Sequence, residues 1–433
     1  MKALWLLCLS SSLASGAAPT FSQDVAPIFY QRCAGCHRPN HVAPMSLLDY
    51  KSARPWAKAI AQSVGTRRMP PWFADPKYGH WANDARLSEA EISTIRAWAA
   101  AGAPEGNPKL LPAAPKFSEG WQLGEPDLVV DIGELYRVTP NEDAYEHFTV
   151  PLALPKGAWI RAAELRPGNR KVVHHGHVLL VQEDLAAMEV ASTKNMPSLS
   201  QYLVKEGKLT RIRMDAPSWN DACRADTPEL PFMRGAQEGA LASYLPGKPA
   251  DVFPAGTAKW IPPNSKLEFV LHYANIKERG ETDRSMVGLY FAKGKPEQTL
   301  RRMDLRNFFL DIGPGEPNQE VRRCYDFPED KYLLSFTPHF HYRGKDVRYE
   351  LTLPDGTKET LLSVPRYDFN WQLVYRLREP KLVPKGSRLM VTVHYDNSAN
   401  NRANPDPKQR LRWGDKSEEE MMTSWIEYLD VKR

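Results

Sequence analysis

Beyond its first twenty residues the chain contains no apolar run long enough to cross a bilayer, so no membrane insertion is expected. It also lacks a strong charge imbalance. A net charge of +5 spread over 433 residues does not form the dense basic footprint of a nucleic-acid binder. There is no fixed-period repeat, which argues against a stacked solenoid. There is no HExxH and no carboxylate at facial-triad spacing, which removes two common routes to a zinc or non-haem iron site. Cysteine is scarce, with five in all.

What the chain does have is 37 prolines and 12 tryptophans, a balance that favours short strands and loops over long helices. Residues 1–17 read as a secretory signal peptide. Lys2 supplies the positive end, residues 3–9 the apolar middle, and small residues around Ala14 to Ala18 the cleavage region. A periplasmic or secreted protein is therefore expected. Cys8 lies too early in the apolar segment to mark a lipoprotein. Its removal leaves Cys33 and Cys36 as a close pair and Cys223 and Cys324 as distant singles. An oxidising compartment permits a disulfide between the last two, but the sequence leaves open whether they meet.

The close pair belongs to "CAGCH", Cys33 to His37. Two thiols two residues apart can add to the two vinyl groups of one haem, and the next His then ligates the iron. A zinc knuckle would need a second ligand pair, and a redox CxxC would need a βαβ setting. Neither is present. "FSQDVAPIFYQR" carries helical spacing into the motif. In "LSEAEISTIRAWAAAGAPEG", Ser88 and Glu91 make a capping box, Ile92, Ile95, Trp98 and Ala99 share a face, and Gly102 and Pro104 stop the helix. Residues 18–106 therefore resemble a small all-α class I cytochrome c domain. Met69, in the proline-braced "RRMPPW", is the expected sixth ligand; Met45, His41 and His80 are the other candidates.

Residues 107–120, with "NPKLLPAAPKFS", read as a semi-rigid linker. Beyond it, "DLVVDI", "VVHHGHVLL", "KLEFVLHYA", "YLLSFTPHFHY" and "RLMVTVHYD" are strand-like runs separated by turn signals. Two all-β sandwich domains are expected, 121–295 and 296–433, with an insertion of weak periodicity at 183–250. Histidines gather in this part. His174 and His175 are adjacent, and His339 and His341 form an HxH. An HxH on a strand turns both rings to one face, and an adjacent pair reaches one ion if its strand is bulged or twisted. Neutral imidazoles suit copper or zinc. The roles of His147, His177 and His394 stay open.

The order "VVHHGHV", "LHYAN", "PHFHYRGK", "EEEMMTSWIEYL" is similar to that of the copper type II, ascorbate-dependent monooxygenases, which include the peptidylglycine α-hydroxylating and dopamine β-monooxygenases. The resemblance spans roughly residues 121–433 and implies two jelly-roll domains, each with one copper. It implies that His174, His175 and His272 bind an electron-transfer copper. His339, His341 and Met421, with Met422 as the adjacent alternative, would bind the copper that activates O2. It further implies an enzyme that hydroxylates a C–H bond of a small organic substrate, with the covalent haem relaying electrons from an external donor. A copper- and haem-binding electron carrier without turnover is the alternative, and a cytochrome fused to a binding module is a third reading.

Where the peptide hydroxylase has substrate-holding residues, this chain has Thr337, Val270, Thr423 and Trp425, so a peptide with C-terminal glycine is not the expected substrate. The Asn-rich stretch after His394 is expected to be a long loop that shapes the second site.

Overall fold

A computed structural model describes residues 18–39, 41, 43–117, 120–140, 144–181, 202–205, 208–211, 220–223, 240–245, 248–273, 280–414 and 416–432. The leader 1–17 and most of the insertion lie outside the described residues. The chain divides into two compact units. One holds residues 1–71 and 85–116, the other 72–84 and 117–433.

In the first unit a π-helical turn, Phe21–Val25, runs into α1, Ala26–Arg32; α2, Tyr50–Ala53, and α3, Ala57–Gly65, follow, and α4 spans Glu89–Ala100. The capping box forms. The Ser88 hydroxyl accepts the Glu91 N–H, and the Glu91 carboxylate accepts the Ser88 N–H. Ile92, Ile95 and Trp98 then turn inward against Phe21, Phe29 and Val64. Arg32, at the end of α1, pairs with Glu91 at 3.1 Å, which ties α1 to α4.

The second unit is β-sheet in four main layers. In the first, Ala158–Arg166 lies between Met286–Phe291 and Thr257–Ile261; in the second, Lys266–Tyr273 lies between Ala144–Pro151 and Val173–Val181. Their shared core includes Ile160, Val178, Phe269, Leu271 and Leu289, all fully buried. The third layer runs in the order Arg301–Arg306, Thr423–Asp430, Lys331–His339, Tyr375–Val383; the fourth centres on Gly344–Thr352 and Arg388–Tyr395. Asp221–Ala222 joins the fourth layer in parallel beside Arg322–Arg323, and the sulfurs of Cys223 and Cys324 are bonded next to it.

This overturns the expected fold class. The protein is mostly β, and its α-helix is confined, among the described residues, to four short segments of at most 12 residues. No small all-α cytochrome c domain followed by two separate jelly rolls is present. The helical stretch runs on through a 3₁₀ turn at Arg54–Trp56 and stops at Gly65, where Arg67 takes a φ of 53°. The residues that follow belong to the sheet. Trp81 bridges to Leu377, Ala82 N–H donates to the Arg376 carbonyl, and Trp72 and Trp81 pack edge-on against Tyr375 at 5.0 and 5.6 Å. The four layers lie in one compact unit.

The bridge between Cys223 and Cys324 closes a 101-residue span. Nonreducing peptide mapping should recover the two cysteines as one crosslinked pair. Cys324→Ser should lower unfolding stability by up to about 4.7 kcal/mol, the chain-entropy value for a loop of this length. Two alkylatable thiols in the denatured, nonreduced protein would refute the pairing.

Candidate metal centre

The first cluster is built by sheet register. His272 pairs directly across from His175 in the antiparallel ladder, and Val270 pairs with His177, so these side chains share one face. The register then shifts. Tyr273 pairs with Val173, which leaves His174 as the extra residue of a bulge. The bulge turns the ring of His174 to the side its neighbour already faces. Gly176 is required here, because a Cβ would meet the Leu271 side chain at 2.6 Å.

The three Nδ1 atoms are 3.2, 3.2 and 3.3 Å apart. Dividing that side by √3 puts their centre roughly 1.9 Å from each nitrogen, close to the ~2.0–2.1 Å of a metal–imidazole bond. Three ring nitrogens meeting in this way cannot all satisfy one another as donors and acceptors, whereas one cation satisfies all three. Burial, then the neighbouring His272 and His174, hold His175 well below the usual histidine range, so it is neutral and its lone pair is available. Tyr145 stacks flat on His272 at 4.2 Å, and its hydroxyl lies 3.4 Å from His175 Nε2, which fixes both rings.

The HxH is built differently. The Lys331–His339 strand ends at the first histidine, so the pair sits on a corner. Tyr367 clamps the residue between them, its hydroxyl accepting the Phe340 N–H and donating to the Phe340 carbonyl. His339 Nδ1–H donates to Gln372 Oε1 at 2.7 Å, and His341 Nδ1–H donates to the Glu419 carbonyl at 3.2 Å. Both rings therefore keep Nε2 for another partner. His341 Nε2 is buried and meets no hydrogen-bonding group among the described residues. Burial lowers His339 to about 4 and holds His341 well below its usual range, so both are neutral.

Met421 follows directly. Its N–H and that of His341 both donate to the buried Glu420 carboxylate, and its carbonyl accepts the Tyr395 hydroxyl. It is half-buried, whereas Met422 is fully buried and its carbonyl accepts the Asn307 N–H. Burial pushes Glu420 up to about 7, against backbone donors from Arg343, His341 and Met421. The Asn-rich loop is tied to this corner, with Asn401 donating to the Tyr342 carbonyl. Asn404 accepts from the fully buried Arg343, which also binds the Glu418 carbonyl, so the loop braces the corner from behind.

Between the two clusters lies Phe369, its ring 6.3 Å from His175 and 5.9 Å from His341. Near His339 a cleft open to solvent is lined by His177, Phe253, Thr337, Gln372, Val374 and Trp425. Burial, then the field of His339 and Arg302, lowers His177 to about 3. His147 and His394 are elsewhere. His147 pairs with Glu268 at the surface, and His394 is bracketed by Asp346 and Glu320. Sequence reasoning missed Tyr145, Tyr367, Phe369, Gln372 and Glu420, because none lies within a histidine motif.

In the other unit, Cys33 to His37 forms a turn that continues from α1, with the His37 N–H on the Cys33 carbonyl. Neither Cys33 nor Cys36 is in a disulfide. His37 Nδ1 lies 3.3 Å from the Met45 carbonyl, which leaves Nε2 for another partner, and burial lowers its proton affinity. Met45 packs against the unit's core; Met69 is half-buried. His80 belongs to the β unit, where its carbonyl accepts the Arg378 N–H.

The sequence matches no family model and no curated protein. Among solved structures the chain is similar to the major capsid protein P2 of bacteriophage PM2, at 11% identity over 71% of this chain and 98% of that one, with a TM-score of 0.25. Allantoicase gives 11% identity over 62% and 81%, with a TM-score of 0.16, and the mavirus major capsid protein 7% over 75% and 90%, with a TM-score of 0.20. Likenesses this distant do not bear on what the site does.

Proposed function

We propose that the protein is an exported copper-dependent monooxygenase that hydroxylates a C–H bond of a small organic substrate, and that a covalently attached haem passes it electrons from an external donor. The observation that carries the reading is the triangle of His174, His175 and His272 nitrogens, 3.2 to 3.3 Å on a side. The order of the histidine and methionine motifs supports it. So does the unsatisfied, buried Nε2 of His341.

His174, His175 and His272 would hold one copper; His339, His341 and Met421 would hold the other. Copper supplies the one-electron redox chemistry and the activation of O2 that C–H hydroxylation needs, and the thioether of Met421 favours Cu(I). A haem held by Cys33, Cys36 and His37, with Met69 as the further candidate ligand, would supply single electrons. The overall balance is R–H + O2 + 2e⁻ + 2H⁺ → R–OH + H2O. The chain's own groups set the conditions. Gln372 and the Glu419 carbonyl fix the tautomers of His339 and His341 so that Nε2 is unprotonated. Phe369 places an aromatic ring within about 6 Å of a histidine from each cluster, 6.3 Å from His175 and 5.9 Å from His341. The alternative is a copper and haem carrier without turnover.

Metal analysis of the holoprotein should return two coppers per haem; no copper would sink the reading. Met421→Ala should retain copper at the His174 cluster, remove the Cu–S shell from X-ray absorption of the reduced protein, and abolish hydroxylation or uncouple it from O2 uptake. Met422→Ala should keep that shell, but should destabilise the fold by about 2–5 kcal/mol because its side chain is fully buried. The opposite pattern of Cu–S loss would assign Met422 as the ligand. Met69→Ala should shift the oxidised haem spectrum toward high spin; an unchanged spectrum excludes Met69.

A further inference from the structure

Tyr145 joins the two histidine clusters. It lies directly across from His272 in the antiparallel ladder, stacks on that ring at 4.2 Å, and sets its hydroxyl 3.4 Å from His175 Nε2. The same hydroxyl lies 3.3 Å from Ser417 Oγ. Ser417 is buried and stands on the turn that leads into Met421. The Glu419 N–H closes that turn on the Lys416 carbonyl, and the Glu419 carbonyl accepts from His341 Nδ1. A continuous chain of contacts therefore runs from His175 through Tyr145, Ser417 and the 417–419 backbone to His341, from the Nδ1 triangle to the HxH corner.

Each hydroxyl carries one proton, so this chain has a direction, and the direction depends on His175. With the triangle empty, His175 satisfies a neighbouring Nδ1 by donating from its own Nδ1, which leaves Nε2 bare. Tyr145 then donates to that Nε2 and accepts from Ser417. A cation in the triangle needs every Nδ1 lone pair, so the single proton of the neutral His175 ring sits on Nε2. His175 Nε2–H then donates to the Tyr145 oxygen, and the phenol proton turns to Ser417 Oγ. The two directions differ in strength. A phenol is a better donor than an alkyl hydroxyl, and a serine oxygen is a better acceptor than a phenol oxygen. The tie from Tyr145 to Ser417 is therefore stronger when the triangle is filled.

We propose that Tyr145 and Ser417 form a switch through which metal entry at the His174, His175 and His272 triangle reaches the turn that carries Met421. Tyr145 donates to His175 in the metal-free chain and to Ser417 once the triangle is filled. Filling the first site then steadies the turn and favours metal at His339, His341 and Met421. Tyr145 and Ser417 are positioning residues, since they act through the histidines and the turn. The switch rests on metal binding at both clusters, as in the reading above, but not on O2 chemistry.

Raman spectra of the full-length chain, metal-free and loaded with Cu(I), read the switch directly. The intensity ratio of the paired tyrosine ring bands rises as a phenol moves from strong donation toward acceptance. That ratio should rise on loading in the wild type. It should not change in His174→Ala, which disables the triangle, or in Tyr145→Phe. Competition with a chromophoric Cu(I) chelator reads the consequence. The copper assigned to Met421 by its Cu–S shell should bind roughly 2- to 10-fold more tightly in the wild type than in His174→Ala, the range of one neutral hydrogen bond. Ser417→Ala should erase that difference while leaving the affinity of the triangle unchanged. A merely structural Ser417 would weaken the second copper equally with and without His174, and that result overturns the proposal. A constant band ratio on loading, or equal second-site affinity in the wild type and His174→Ala, overturns it too. If Tyr145→Phe does not fold, the wild-type spectra and Ser417→Ala decide. Two bound coppers with no band change would sink the switch alone. A band change in a chain without the Cu–S shell would sink the monooxygenase reading of the second site and leave the hydrogen-bond reversal standing.

Discussion

Three imidazole Nδ1 atoms, 3.2 to 3.3 Å from one another, are an arrangement that no set of mutual hydrogen bonds can satisfy. Much of the first two sheet layers can be understood as the means of enforcing it. Direct pairing puts His272 opposite His175, the bulge rotates His174 inward, and the missing side chain at Gly176 lets the strands close. Tyr145 covers the assembly as a flat lid on His272. The desolvation that keeps His175 neutral also keeps its lone pair from water, whereas His174 is half-buried. Such a cluster is costly for the bare chain and favourable once a cation enters, which is the usual linkage between metal binding and folding.

The HxH corner solves a different problem. Its rings are not held by strand register, since the strand ends at His339, but by a shell of fixed hydrogen bonds around the backbone. Tyr367 grips Phe340, Glu420 collects the N–H groups of His341, Arg343 and Met421, and Arg343 reaches out to Asn404. The two clusters also present opposite ring nitrogens, Nδ1 in the first and Nε2 in the second. One is rigid through the sheet and the other through a buried polar network. A defect in that network would leave several buried groups unsatisfied together rather than one.

The residues that were legible in the sequence are those whose chemistry is local. The HH pair, the HxH and the CxxCH each declare themselves within a few positions, and Ser88 with Glu91 announced the start of α4. His272 was legible only through motif order, because 98 residues separate it from His174. Gln372, Phe369 and Tyr145 carry no spacing signal at all; sheet topology alone brings them in. The fold class failed at Trp72 and Trp81. Their aromatic, proline-flanked surroundings look like the end of a helical domain, but their partners are Tyr375 and Leu377, about 300 residues away, and such tertiary pairing overrides local pattern.

The disulfide and the histidine triangle have a joint topological consequence. Along the chain their ends alternate: 174, 223, 272, 324. His272 lies inside the loop that sulfur closes, while His174 and His175 lie outside it. With a cation in the triangle the two clasps interleave, as links of a chain do, rather than nesting. A single cut of the backbone between the cysteines would then not release a free end from either layer pair, because each severed piece stays anchored by one clasp or the other. Resistance to backbone cleavage there would thus come from the order of four residues, independent of how tightly any one layer packs.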